Sequence, residues 1–237
     1  MNLRYSTIRL VLCAALAANL AFAQGTPDSF QPDARRWLTQ EQLDELVATV
    51  PPPPAPGSAA DQADLTAILT AQRDRTPEIE AECKRDEKFS ELLFQSTYGN
   101  NLTPENSPTF YQLLKNVLAA TGAVNGPAKA KYQRPRPYQG HADVVHAVFA
   151  VNGYSYPSGH SMGSFTLATV LGAVFPARQQ AFLDRAAQIA QSRVDAGVHY
   201  PSDIKEGEVL GKATGAAILA SPAFQADLAK VQADLKR

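Results

Sequence analysis

The chain has 237 residues, of which 45% are hydrophobic and 19% charged, and a formal net charge of −1. That length suits one large domain or two small ones with ample material for a core, and the charge argues against a nucleic-acid binder, which should be basic overall or along a stripe. The composition is not that of a disordered chain, a collagen or a disulfide scaffold, and two cysteines cannot build a Cys-rich zinc site.

The first nine residues carry Arg4 and Arg9 and no acid. Residues 10–23 form an almost unbroken apolar run, LVLCAALAANLAFA. The run is shorter than the roughly 20 residues needed to cross a bilayer. It closes on Ala21-Phe22-Ala23, so residues 1–23 read as a secretory signal peptide cleaved after Ala23, with an N-terminal anchor helix as the alternative. Leu12 is too bulky to make Cys13 a lipoprotein cysteine. Cleavage leaves 20 Lys and Arg against 23 Asp and Glu, a formal charge of −3. It also leaves Cys83 alone, so no intramolecular disulfide is expected and the thiol reads as buried and free. No second run approaches membrane length. The expectation is an exported, periplasmic or secreted protein with no stable membrane association.

Residues 24–57 read as an N-terminal arm. Residues 24–37 lack a period, 40–50 suit a short helix, and Pro51 to Pro54 with Pro56 and Gly57 should form a polyproline II segment. Residues 58–237 read as one all-α domain. Apolar spacing predicts helices over 59–72, 76–95, 107–120, 160–174, 177–196, 203–219 and 223–236. Residues 121–158 hold Gly122, Gly126, Pro127, Pro135, Pro137, Gly140, Gly153 and Pro157, and read as loop with one short helix over 141–150. No stretch has the rhythm of a sheet, and there is no internal repeat.

Three clusters carry the chemistry. Lys129, Lys131, Arg134 and Arg136 place four positive charges in eight residues without an acid. Pro135 and Pro137 push the arginine before each toward extended backbone. Alone this is a solvated basic loop, yet a fixed arginine suits a bidentate grip on phosphate. The second cluster is Tyr156-Pro157-Ser158-Gly159-His160-Ser161 at a helix start, where backbone N–H groups offer an anion site and Gly159 allows close approach. Its bland reading is a Ser-capped helix that carries a histidine. Gly163, Ser164, Ala168 and Gly172 behind it would let another helix pack closely.

The third cluster follows a helix whose apolar face runs Phe182, Ala186, Ile189 and then position 193. Arg193 therefore points into the core and needs an anionic partner. Asp195 lies on the polar face with Asp184, Gln188 and Gln191, and reads as solvated. His199 falls beyond Gly197. Asp203, with Glu206 three residues on, suits a helix cap, or could fix the tautomer of His199. Together the clusters hold fixed cations, a helix N-terminus, two histidines and an aspartate, which fits phosphoryl transfer. His141 and His146 belong to no cluster.

Lys129 to Arg136-Pro137, then Pro157-Ser158-Gly159-His160, then Ser192-Arg193, His199 and Asp203 resemble the three-part signature K-x6-RP, PSGH, SR-x5-H-x3-D of the type 2 phosphatidic acid phosphatase superfamily. The leader, the size and the proline run are similar to class A bacterial non-specific acid phosphatases. The resemblance implies a single-domain all-α bundle, shared with vanadium haloperoxidases, that hydrolyses phosphomonoesters with no cofactor and no metal, in a homodimer. It implies that Lys129, Arg136, Arg193 and the backbone N–H groups of Ser158 and Gly159 hold phosphate. His199 would be the nucleophile, Asp203 its orienting partner and His160 the general acid. A neutral His199 and a His160 near its ordinary pKa would give a bell-shaped, mildly acidic pH profile. The rival readings are a vanadate-dependent haloperoxidase and a non-catalytic phosphate-binding protein. The leaving group is not specified; residues 95–108 and 138–156 are its candidate pocket walls.

Overall fold

The computed structural model describes residues 32–236, so the leader and its cleavage site lie outside the described residues. Among these there are ten α-helices and no strand. They are α1 (Gln40–Thr49), α2 (Ala59–Asp74), α3 (Pro77–Arg85), α4 (Gln95–Tyr98), α5 (Pro108–Tyr132), α6 (Pro137–Gly140), α7 (Gly159–Val174), α8 (Gln179–Asp195), α9 (Pro201–Ala220) and α10 (Pro222–Asp234). Their starts are written locally. Thr39, Ser58, Thr76 and Ser158 each accept an N–H of the first turn on the side-chain oxygen. Proline opens α3, α5, α6, α9 and α10, where its missing donor costs nothing.

Helix α7 is the axis of the molecule. Twelve of its 16 residues are buried, on every face, which marks a helix enclosed by others. It packs on α9, α8 and α5. Contact with α9 is set by Gly207, Gly211 and Gly215, one per turn of α9. A Cβ at Gly207 would lie 2.6 Å from the Ser158 carbonyl oxygen, and one at Gly211 would strike the backbone of Met162. The small residues that let this pair close are thus on α9. Gly163 and Gly172 of α7 instead receive the Phe89 ring and the Gln179 side chain.

Three expectations change. Helix α5 runs twelve residues past the predicted stop at 120, to Tyr132. Gly122, Gly126 and Pro127 lie on its exposed face, while Ala120, Val124 and Ala128 carry the buried stripe onward. Gly126 lacks the Cβ that the ring of Pro127 would crowd. The predicted helix over 76–95 breaks after Arg85, and only Glu91–Phe94 and α4 resume helical turns. Finally, residues 141–150 contain turns but no helix; the short helical turn of this region, α6, comes just before them.

The arm is built into the fold in its described part. Trp37, Leu38, Leu43 and Val50 join the main core, with Trp37 edge-on to Phe224 at 5.2 Å. The Trp37 indole N–H and Arg36 both donate to Asp227 of α10. The proline segment leaves carbonyls free, as polyproline II does. Tyr132 donates its hydroxyl to the Val50 carbonyl at 2.5 Å, and Tyr156 to that of Pro51 at 2.9 Å. Among the described residues no helix is long and apolar enough to cross a membrane.

The α7–α9 contact predicts opposite outcomes for two glycines. Gly211→Ala should lower Tm, because overpacking costs about 1–3 kcal/mol against the about 1 kcal/mol that alanine gains over glycine in a helix. Gly122→Ala, where a Cβ meets nothing within 4 Å, should raise stability by about 0.4–1 kcal/mol. Thermal melts of the two variants check both signs.

Candidate active site

The last turn of α5 presents Lys129. Gln133 then takes a left-handed conformation, φ 50°, and turns the chain out of the helix into Arg134-Pro135-Arg136-Pro137. Arg136 is extended (φ −74°, ψ 157°), as expected of a residue before proline. Its guanidinium donates to the carbonyls of Gly153 (3.0 Å), Asn152 (3.2 Å) and Val198 (2.9 Å). Lys129 Nζ donates to the carbonyls of Tyr154 (2.6 Å) and Ser155 (3.0 Å).

Arg193, on α8, is 0% exposed. Its Nη1 donates to the Asp86 carbonyl at 3.1 Å, and its guanidinium lies 5.0 Å from the Phe149 ring centroid. Its Nε and Nη2 are buried with no hydrogen-bond partner. Among the described residues no carboxylate pairs with Arg193, Arg136 or Lys129. Asp195 is half-buried and is bonded by Gln191 at 2.9 Å. The anionic partner that Arg193 needs is therefore not supplied by a side chain.

His199 sits among these cations, 2% exposed. Its Nε2 is 3.0 Å from Arg136 Nη1, and an arginine can only donate, so Nε2 holds a lone pair. The ring proton is then on Nδ1, which faces Asp203 Oδ2 at 3.3 Å. Asp203 does both jobs its position allowed. Its Oδ2 accepts the Tyr200 N–H at the head of α9, at 2.8 Å, and orients the ring. Ser155, buried and 3.3 Å from His199 Nδ1, donates to the same oxygen through a short hydrogen bond.

His160 projects from the first turn of α7. Its Nε2 lies 3.0 Å from the Glu87 carbonyl, which can only accept, so Nδ1 is the nitrogen left for proton transfer. The Phe89 ring tilts against it, 5.2 Å between centroids, and reaches it because Gly163 has no side chain. The break at 86–90 thus brings two carbonyls to Arg193 and His160. One assignment changes: the Ser158 N–H is used by the Asp203 carbonyl at 3.0 Å. The donors left at this helix start are the N–H groups of Gly159 and His160, which lack a carbonyl in a preceding turn. The Ser158 hydroxyl accepts from the Ser161 N–H and keeps its own proton to donate.

Crowded, desolvated positive charge sets the protonation of the site. Burial, then Arg193, pushes His160 down to about 3. Burial, then Arg136, pushes Lys129 down to about 7 and Arg193 down to about 10. Burial lowers His199 well below the usual range, helped by Lys129, Arg136, Arg193 and His160. The protein's own charges therefore do not leave His160 near its ordinary value; an added anion is what favours its charged form. Cys83 is fully buried beside this region, donates Sγ–H to the Ser192 carbonyl at 3.3 Å, and is pushed up to about 11 by burial, so it is an unreactive thiol as the sequence suggested.

Sequence reasoning named Arg134 without giving it a role and passed over Ser155 and Asp86. Arg134-Pro135 repeats the dipeptide of Arg136-Pro137 two residues earlier, which was a signal. Ser155 and Asp86 act through backbone breaks that no local pattern marks.

Residues 111–226 match the PAP2 superfamily. The chain is 28% identical over 236 residues to a non-specific acid phosphatase of Providencia stuartii, covering 94% of each. It is 31% identical over 196 residues to one of Salmonella typhi, covering 78% of each. Two solved structures share the fold. One is a bacterial vanadium-dependent iodoperoxidase, at TM-score 0.62 and 18% identity over 76% of this chain and 54% of that one. The other is a transmembrane PAP2-type phosphatidylglycerolphosphate phosphatase from Bacillus subtilis, at TM-score 0.54 and 20% identity over 75% and 90%.

The lowered pKa of Lys129 makes anion binding pH-dependent with a defined sign. A dianion between the cations raises the lysine's pKa, so above about 7 binding must take up a proton. Sulfate keeps its charge from about pH 6 to about pH 9, and its Kd should worsen over that range, by up to about tenfold per pH unit. Calorimetric titration in buffers of different ionisation enthalpy reads the uptake. Lys129→Met should bind more weakly and lose the slope; an unchanged slope would show that another group titrates.

Proposed function

The chain belongs to the PAP2 superfamily and is an acid phosphatase of it, and we propose that it acts as an exported, metal-independent phosphomonoesterase working through a phosphohistidine. The observation that carries the mechanism is the pairing of a buried, unpartnered Arg193 guanidinium edge with a buried His199 whose Nε2 lone pair faces the same cations. A phosphate dianion satisfies the first and is the electrophile for the second.

His199 Nε2 attacks phosphorus as the bond from phosphorus to the leaving oxygen breaks. The Nδ1–H donates to Asp203, which stabilises the positive charge that grows on the ring. His160, charged once phosphate offsets Arg193, gives its proton from Nδ1 to the leaving alkoxide. It then takes a proton from the water that attacks phosphorus, and the P–N bond breaks to restore His199. Lys129, Arg136 and Arg193 do the electrostatic work for which other phosphatases use metal ions. The acid optimum also has a physical source. Activity needs neutral His199 and protonated His160, and burial among cations pushes both histidines down, so the window between them lies at acidic pH. The leader supports export. A cradle that grips only phosphate and leaves the leaving group outside would accept a broad range of phosphomonoesters.

The test is hydrolysis of p-nitrophenyl phosphate from about pH 4 to about pH 8 with EDTA present. The expected profile is an acidic bell, unchanged by the chelator, with an acid-labile phosphoenzyme on rapid quench. His199→Ala should lower kcat by at least about 10³-fold, form no phosphoenzyme and still bind vanadate. A normal burst in that variant, or activity restored only by added metal, would overturn the mechanism.

A further inference from the structure

Three of the four basic residues at the end of α5 and just after it are accounted for by position: Lys131 donates to the Val50 carbonyl, and Lys129 and Arg136 line the site. Arg134 is different. It is 8% exposed and turned away from the anion site, and it touches none of the groups that would meet phosphate. Its Nη1 donates to Asp203 Oδ1 at 2.7 Å and to Ser202 Oγ at 2.8 Å. Its Nη2 donates to Asp64 Oδ2 at 2.9 Å and Asp61 Oδ1 at 3.3 Å, both on α2. Its guanidinium carbon lies over the Tyr200 ring, 3.9 Å from the centroid. Asp64 in turn holds the head of α9, accepting the Ser202 N–H at 3.0 Å and, through a short bond, the Ser202 hydroxyl.

We infer that Arg134, balanced by Asp61 and Asp64, is a positioning residue that sets how strongly Asp203 holds the proton of the nucleophile His199. The inference rests on the phosphohistidine reading above. The two oxygens of Asp203 are divided: Oδ1 goes to Arg134, and Oδ2 to His199, Ser155 and the Tyr200 N–H. That division fixes the carboxylate plane, so Oδ2 cannot rotate away from Nδ1. It also sets charge. One guanidinium is shared by three carboxylates, so Asp203 loses only part of its negative charge to Arg134 and keeps enough to steady His199 as it turns cationic. After burial itself, the groups that oppose protonation of His199 are Lys129, Arg136, Arg193 and His160. Asp86 and Glu87 lie on the Arg193 side of that group; Asp203 is the acid that meets the His199 ring, and Arg134 with Asp64 tunes it from behind.

Removing Arg134 and removing Asp64 should therefore act in opposite directions. In Arg134→Met, Asp203 faces His199 with undiluted charge but an unfixed plane. The acid limb of kcat/KM should move to higher pH, kcat should fall about 10- to 100-fold, and KM should stay within about threefold, since the phosphate cradle is untouched. In Asp64→Asn, Arg134 leans more fully on Asp203, and the acid limb should move to lower pH with a smaller loss of kcat. Arg134→Lys, which keeps the charge but not the second hydrogen-bond arm, should recover the position of the limb more than the rate. Vanadate binding and thermal melts report on folding of each variant. If Arg134→Met does not fold, the direction of the limb in Asp64→Asn decides alone. Limbs that superimpose on wild type, or a rise in KM at constant kcat, would overturn the inference. A wild-type protein that forms no phosphoenzyme would instead overturn the mechanism on which it rests.

Discussion

The constraint on which the rest of the structure depends is the burial of Lys129, Arg136 and Arg193 side by side without carboxylates. Each desolvated cation costs several kcal/mol unless it is paired. Salt bridges would lower that cost and would also cancel the charge. The fold meets it with backbone carbonyls: Asp86 for Arg193, Asn152, Gly153 and Val198 for Arg136, Tyr154 and Ser155 for Lys129. Carbonyls satisfy donors without neutralising them, so full charge remains for a ligand. Arg134 shows the contrast. It has carboxylate partners, and it does not face the anion site.

That choice dictates where helices must stop. A carbonyl inside a helix is already bonded, so each one offered to a cation must come from irregular backbone. The chain is irregular after Arg85, across 146–158 and over 197–200, the stretches that face the cations. Burial, together with the positive field they create, then lowers both histidines. His199 is kept neutral, with its lone pair on Nε2 because Arg136 donates there, and its proton on Nδ1 because Asp203 accepts there. Burial, then Arg193, holds His160 low in the same way.

How much of this was legible in the sequence follows from the same physics. Helices that carry an unbroken apolar stripe, α7 to α10, were found within a few residues because burial writes the period directly. The inward placement of Arg193 came from the spacing Phe182, Ala186, Ile189 and was correct, as was the extension of Arg136 before Pro137. The errors have two sources. Gly122, Gly126 and Pro127 read as breakers, yet they lie on the solvent face of α5, where the buried stripe outweighs propensity. Conversely, residues 86–90 fall within a stretch of helical spacing but are pulled out of helix because Asp86 and Glu87 are needed as acceptors by residues about 73 to 107 positions away in sequence. No local pattern records that demand. The Ser158 N–H was misassigned for a similar reason, since its acceptor, the Asp203 carbonyl, comes from another helix.

The amino-terminal segment extends the argument beyond the residues that carry the phosphate chemistry. Residues 37–74 contain none of the side chains proposed to hold phosphate, yet they brace the chain that carries those side chains. Val50 and Pro51 accept the hydroxyls of Tyr132 and Tyr156, which flank the chain as it leaves α5 and as it enters α7. Tyr132 and Tyr156 also pack edge to face at 5.5 Å. Those two connections hold the backbone whose carbonyls carry Lys129 and Arg136. A helix could not do this, because its carbonyls are spent; an extended proline segment leaves them open and is already stiff, so little entropy is lost when tyrosines dock on it. Asp61 and Asp64, one turn apart on the next helix, then supply the counter-charge for Arg134. The proline run is thus better understood as a docking strip for the two tyrosines than as a spacer, and the packed body already includes Arg36 and Trp37 ahead of it.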